Sequence, residues 1–207
     1  QSLVCLPDMP GSVQNLYADK DDAMRSSTTL DVKECPACGH IQLINNPVSY
    51  FRDVIRAGSF SASLLERQQD VFARFIQTWG LQGKRVLEVG SGRGEYLELL
   101  RDLPVAAYGI ENNAEFCLGA WKNGLNIFQG YVCDGELQTD PTRFDAVVSI
   151  NFLEHIPHPK QFLQGMARLM EDDAVGLISV PDAMQELKDN SLLSYMSDHI
   201  SYFTLPS

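Results

Sequence analysis

Residues 85–100 read RVLEVGSGRGEYLELL: an apolar run carrying Glu88, then Gly90, Gly92 and Gly94 at alternate positions, then an amphipathic start. A turn with almost no side chains lets backbone N–H groups approach a small polar ligand, and a helix beginning near Gly94 offers that ligand its positive end. The G-x-G-x-G spacing departs from the G-x-G-x-x-G of nicotinamide-binding turns, and no lysine completes a phosphate loop. The next apolar run, AYGIEN, also ends in an acid, Glu111. It lies about 20 residues past Gly90, the offset at which a strand-end carboxylate meets a ribose diol. Glycine turn and Glu111 together point to an adenosine-containing cofactor that is not recognised through a pyrophosphate.

Two histidines could remove a proton from an acceptor: His155 in LEHIP and His199 in SDHISYF. Imidazole suits that task because its ordinary pKa, about 6.5, lies near working pH. His199 has Asp198 beside it and Tyr195, Tyr202 and Phe203 nearby, whereas His158 sits between two prolines and reads as a surface turn residue. The knuckle Cys35-Pro-Ala-Cys38-Gly39 places two thiols on a tight turn. That is half of a tetrahedral zinc site, or else two free thiols in a turn.

These groups need a sheet whose strands end side by side. From Ser61 onward, Leu64, Leu65, Val71, Phe72, Phe75, Ile76 and Trp79 recur at helical spacing, stopping by Gly80 or Gly83. Five apolar runs follow, at 85–89, 105–110, 127–132, 144–150 and 174–180. Helical patterns at 94–102, 112–123 and 159–170 separate them, with a weaker one at 182–196. This alternation predicts a doubly wound α/β domain with a mostly parallel sheet covered on both faces. Its crevice belongs at the carboxyl ends of the strands. Residues 1 to about 50 are poor in periodicity and rich in turn formers, and predict a small loop-rich segment with short strands. The reading is therefore 1–58 as a zinc-knuckle-like segment and 59–207 as the cofactor-binding domain.

The stretches VLEVGSGRGEYL, YGIEN and FDAVVSINFLEHIPHP resemble the successive motifs of class I S-adenosylmethionine-dependent methyltransferases. CPACGHIQL upstream and SDHISYFT downstream resemble the group with an N-terminal zinc-binding segment that includes the deoxysugar C-methyltransferases. The resemblance covers about residues 8–205. It implies a Rossmann-like sheet of strand order 3-2-1-4-5, S-adenosylmethionine as cofactor, and methyl transfer to a small polar acceptor such as a carbon of a nucleotide-linked sugar. Oxygen or nitrogen methylation of a small metabolite, and a nucleotide-binding module without catalysis, are the competing readings. By the same resemblance, Gly90, Ser91 and Gly92 pass the methionine part, and Glu88 anchors the turn or the cofactor's amino group. Glu111 holds the ribose, Asp134 in YVCDGEL meets the adenine amino group, and Asn151 and Phe152 lie beside the transferred methyl. His199 is the base for carbon methylation, although that group often has glutamate where this chain has Asp198. The group's zinc site uses a second C-x-x-C upstream; here only Cys5 precedes Cys35 and Cys38.

With 207 residues, 44% of them apolar, the chain can bury one sizeable core and a small appendage. A net charge of −11 without a long acidic run argues against nucleic acid or an anionic membrane as partner. No apolar stretch approaches the roughly 18 residues of a membrane span. Five cysteines, an odd number with one close pair, suggest a reducing, cytoplasmic setting. The resembled fold continues past its fifth strand with two more, and this chain stops in mid-pattern at YFTLPS. A piece shortened at both ends is therefore expected, with 174–180 as an exposed sheet edge prone to self-association and 198–205 as a short segment that could cover it.

Overall fold

The computed structural model describes residues 2–52, 61–133, 143–189, 191 and 195–205. In chain order these form β1 (Ser2–Pro10), α1 (Lys20–Arg25), β2 (Ser27–Glu34), β3 (Ile41–Leu43), α2 (Ala62–Thr78), β4 (Arg85–Val89), α3 (Glu95–Arg101) and β5 (Ala106–Glu111). Then come α4 (Ala114–Lys122), β6 (Ile127–Gln129), β7 (Phe144–Ile150), a 3-10 turn (Leu153–His155), α5 (Pro159–Arg168), β8 (Met170–Ser179), α6 (Ala183–Lys188) and β9 (Ser201–Tyr202). They fall into two compact units.

One unit spans Ile55–Ile150 and His158–Ser179. Its sheet runs β6-β5-β4-β7-β8 with every neighbouring pair parallel, the expected 3-2-1-4-5 order. The central strands are apolar along their length because helices cover both faces. Val86, Leu87, Ala146, Val147 and Val148 have no exposed surface. Ser61 caps α2, its hydroxyl accepting from the Leu64 N–H, and the helix buries Phe72, Phe75 and Ile76 on one face. Asn113 caps α4 through the N–H groups of Glu115 and Phe116. Pro159 opens α5, where a missing N–H costs nothing. β6 stops at Gln129, shorter than the apolar run 127–132. β8 begins earlier than the apolar pattern: Phe144 pairs with Met170, but Ala146 pairs with Val175. The acidic residues Glu171, Asp172 and Asp173 lie in that irregularity.

The other unit is drawn from Gln1–Val54, Asn151–Pro157 and Val180–Ser207. Its antiparallel sheet has the order β1-β2-β3-β9. The expectation of a loop-rich segment with short strands is corrected here, since β1 and β2 are nine and eight residues long. Bulges between Ser2 and Val4 and between Leu6 and Met9, with Asp8 at φ 55°, break the two-residue period that would have revealed β1. In β2 the alternation survives and buries Leu30 and Val32 against Leu43, Ala183, Tyr195 and Tyr202. In the segment 198–205, Tyr202 and Ser201 pair with Ile41 and Gln42 of β3. α6 is six residues long where the pattern suggested 182–196. Asp182 caps it through the Met184 and Gln185 N–H groups, and the chain then meets Asp189, Asn190 and Ser191, residues that favour turns.

Candidate functional site

The turn after β4 is built on three left-handed glycines, with φ of 79° at Gly90, 59° at Gly92 and 95° at Gly94. Only glycine adopts this geometry without a Cβ clash against its own backbone. The N–H groups of Gly90, Ser91, Gly92 and Gly94 donate to acceptors within the protein, where the sequence suggested that such groups approach a ligand. Gly90 and Ser91 donate to the Ile110 carbonyl at 3.0 and 3.1 Å, and Gly94 donates to the Ser91 carbonyl at 3.0 Å. Gly92 N–H donates to Glu111 Oε2 at 2.8 Å. A phosphate-binding loop keeps such donors pointing outward, whereas here they rigidify the turn.

Glu111 is 7% exposed and ends β5. Its other oxygen, Oε1, accepts from the Asn113 N–H at 2.8 Å. The sequence suggested a ribose acceptor; the structure adds that this carboxylate clamps the glycine turn to the start of α4. Beneath the turn, Ser91 is fully buried and its hydroxyl donates to the Glu88 carbonyl at 3.2 Å. Glu88 itself has no exposed surface. A Cβ at Gly109 would collide with Ser91 Oγ and Leu97, so this β5 glycine is a packing requirement that the motif reading missed. At Gly92 the reverse holds: the nearest atom to an added Cβ is Glu95 Oε2, 3.9 Å away. The face above Gly92 is open, a cradle that a side chain would fill. Burial and the Glu111 charge push the Cys117 thiol up to about 11. It therefore stays protonated and lies 3.4 Å from the Glu111 carbonyl.

A second constellation belongs to the unit with the antiparallel sheet. The 3-10 turn after β7 carries Glu154 and His155, 2% and 7% exposed. His155 Nδ1 lies 2.9 Å from the Asp198 backbone oxygen. A carbonyl only accepts, so Nδ1 carries the proton and the neutral ring presents an Nε2 lone pair. Burial holds the His155 pKa below the ordinary histidine value, against the opposing pull of Asp198. Burial likewise raises the Asp198 carboxyl, with His155 opposing. The rings of His155 and His199 meet edge to face with centroids 4.9 Å apart. His155 Nε2 is 4.0 Å from Glu154 Oε1. The Ile200 N–H donates to the Glu154 carbonyl at 2.8 Å, tying the 3-10 turn to the strand that follows His199. The structure thus brings together His155, His199 and Asp198, and adds Glu154, whose one signal in the sequence was its place beside His155. Asn151, the first residue after β7, is exposed and adopts a left-handed φ of 49°. Phe152 is half-buried, and His158 is an exposed residue at the start of α5. Asp134 lies outside the described residues.

The knuckle is formed. Gly39, at φ 74°, donates to the Cys35 carbonyl at 2.9 Å, and the Cys35 N–H donates to His40 O at 2.8 Å. Hydrogen bonds from the backbone of Ala37 and Cys38 and from the Cys38 thiol lower the Cys35 pKa. Among the described residues, neither Cys5 nor His40 joins the two cysteines in a group of three ligands. His40 Nε2 lies 3.3 Å from Ser201 Oγ instead. Among the described residues no helix is long and apolar enough to cross a membrane.

The chain is 27% identical over 200 residues to the C-methyltransferase NovU of Streptomyces niveus, covering 93% of this chain and 48% of that protein. It is 33% identical over 112 residues to the ubiquinone biosynthesis O-methyltransferase of Glaesserella parasuis serovar 5 (strain SH0165), covering 50% of this chain and 48% of that one. It spans about half the length of these curated relatives. The PH0226 protein from Pyrococcus horikoshii OT3 shares the fold, with a TM-score of 0.53 at 15% identity over 69% of this chain and 70% of that one. Residues 64–207 match the family described as "Methyltransferase domain". With the 3-2-1-4-5 parallel sheet, this match makes the chain a member of the methyltransferase-domain family, within the class I S-adenosylmethionine-dependent methyltransferases.

Proposed function

We propose that the chain binds S-adenosylmethionine and that the protein transfers its methyl group to a small polar acceptor, a carbon of a nucleotide-linked sugar, with a histidine as base. The observation that carries the cofactor reading is the turn after β4, whose Gly90, Ser91, Gly92 and Gly94 N–H groups donate inside the protein while the face above Gly92 is open beside the buried Glu111. That arrangement suits a cofactor held by shape and by its ribose, without a phosphate. When bound, S-adenosylmethionine supplies a methyl carbon on a positively charged sulfur. Gly90, Ser91, Gly92 and Gly94 contour the methionine part, and Glu88 serves the turn or the amino group. Glu111 accepts from the ribose hydroxyls, Asp134 from the adenine amino group, and Asn151 and Phe152 flank the transferred group.

Similarity to a C-methyltransferase over 93% of this chain supports carbon as the acceptor atom. A C–H bond is acidic enough for imidazole only beside a carbonyl, so the acceptor carbon adjoins a keto group. His199 takes that proton, and His155, with its Nε2 lone pair already set by the Asp198 carbonyl, is the second candidate. Oxygen methylation is the alternative, supported by the 33% identity to an O-methyltransferase over half of the chain. In the segment 1–58, ahead of a methyltransferase domain 59–207, Cys35 and Cys38 supply two thiolates to a structural zinc ion. The tight turn, closed by the Gly39 N–H on the Cys35 carbonyl, supports this.

Incubation with S-adenosylmethionine 13C-labelled at the methyl, together with a nucleotide-linked keto sugar, tests the reaction. S-adenosylhomocysteine should form, and the new methyl resonance should couple to a sugar carbon. An O-methyl resonance would transfer the reading to the alternative, and no turnover with any acceptor would leave a binding module. In the active protein, His199→Ala should lower turnover by roughly 10²–10⁴ with cofactor affinity nearly kept. A loss of less than a few fold would shift the base to His155.

A further inference from the structure

Glu154, His155 and His199 present a carboxylate oxygen and two imidazole nitrogens that all lie within 4.8 Å of one another. In a tetrahedral site with bonds of about 2.0–2.1 Å, ligand atoms sit roughly 3.3 Å apart. Side-chain rotation therefore has about 1.5 Å to close. Two imidazoles and one carboxylate form a donor set for a borderline divalent transition ion, and a poor one for magnesium or calcium. A second, independent feature is the Asp198 carbonyl on His155 Nδ1. Metal-bound histidines almost always donate their other ring N–H to such an oxygen, which orients the ring and raises its basicity. His199 is only partly buried, which leaves a solvent approach to the group. The backbone bond from Ile200 to Glu154 holds the two contributing segments together.

The geometry points to a zinc-type site at Glu154, His155 and His199 whose occupancy inhibits the enzyme. The ion and the acceptor's proton compete for the same nitrogen lone pairs, so a metal-loaded histidine cannot serve as base. The inhibition rests on the histidine-base reading above, whereas the binding stands apart from it. This site also differs in chemistry from the Cys35–Cys38 knuckle, because it offers no thiolate.

Cobalt(II) titration of the full 207-residue chain reads binding without any turnover. In the Cys35→Ser/Cys38→Ser variant, about one equivalent of cobalt should produce visible d–d bands with no near-ultraviolet thiolate charge-transfer band. Adding Glu154→Gln or His199→Asn should weaken that binding at least about tenfold. Should the cysteine double variant fail to fold, the unaltered chain should show both band sets, with the thiolate-free component lost in His199→Asn alone. In the active protein, Zn²⁺ should lower turnover and a chelator should restore it. Cobalt bound solely through thiolates, or insensitive to Glu154→Gln and His199→Asn, overturns the site and leaves the methyl-transfer reading untouched. Binding at these residues with turnover unaffected overturns the inhibition and removes the histidines as base.

Discussion

Glu111 accepts from the Gly92 and Asn113 N–H groups on one carboxylate, and the proposed function adds the ribose to its tasks. Glu111→Ala should therefore weaken S-adenosylhomocysteine binding about tenfold to a hundredfold, the loss expected for hydrogen bonds to a charged group. It should also loosen the turn. Calorimetry checks the first effect and amide exchange at Gly92 the second; unchanged affinity in a folded variant would remove Glu111 from the site. Gly92 is a different test. With φ at 59° and only Glu95 Oε2, 3.9 Å away, near an added Cβ, Gly92→Val meets backbone strain of roughly 1–2 kcal/mol and no clash at its Cβ. The valine should abolish cofactor binding while circular dichroism keeps its secondary structure. Normal binding by that variant would mean that the glycine serves the turn alone.

Between elements, the join of β4 and β7 depends on a side chain. The ladder pairs Val86 with Ala146, and one residue earlier Asp145 takes over: its Oδ2 accepts from the Arg85 N–H at 2.9 Å and its Oδ1 from Lys84 Nζ at 3.0 Å. Burial alone would raise the Asp145 pKa, but the Arg85 N–H and the Lys84 ammonium together hold it below the usual aspartate value. A carboxylate with a depressed folded-state pKa stabilises the protein above its unfolded-state value, and that stabilisation is lost as pH falls through the folded-state value. Asp145→Ala should destabilise the protein by about 1–3 kcal/mol at neutral pH, because the Arg85 N–H loses its acceptor. Asp145→Asn should cost less, and its deficit should shrink as pH falls below the ordinary aspartate value. Urea melts at pH 7 and pH 3 measure both, and an asparagine deficit as large at pH 3 as at pH 7 would refute the charge contribution.

At the scale of the whole molecule, β8 ends the parallel sheet among the described residues, pairing with β7 alone. Such an edge templates pairing with another chain unless charge blunts it. Glu171, Asp172 and Asp173 guard its first half, while Val175–Ser179 carries no charge. We therefore propose self-association through that second half. A net charge of −11 opposes it at low ionic strength, so salt should promote it. Sedimentation velocity should show a salt-dependent, concentration-dependent dimer that Ile178→Lys suppresses. A monomer at every salt concentration would rule the contact out.

The sequence alone determined what is local: the glycine turn at Gly90, Gly92 and Gly94, the helix that follows Ser61, and the apolar runs that became β4, β5 and β7. Each is decided within a few residues, by steric limits on φ or by a side chain reaching its own backbone. Glu111 was legible for the same reason, as an acid at a strand end. The destination of the turn's N–H groups was not legible, because they find acceptors on β5, across a helix and a loop. The first sheet was hidden, since bulges in β1 erase the period that identifies a strand, and β9 is only two residues long. Its pairing with β3 joins residues about 160 apart in the chain, as does the contact of His40 with Ser201. Nothing in a local pattern encodes such a partner; burial of Leu30, Val32 and Tyr202 in one core selects it. The same long-range closure sets His199 against His155 and Glu154. His155 and His199, each read as a candidate base, and Glu154, which drew no reading of its own, become one cluster because β9 pairs with β3.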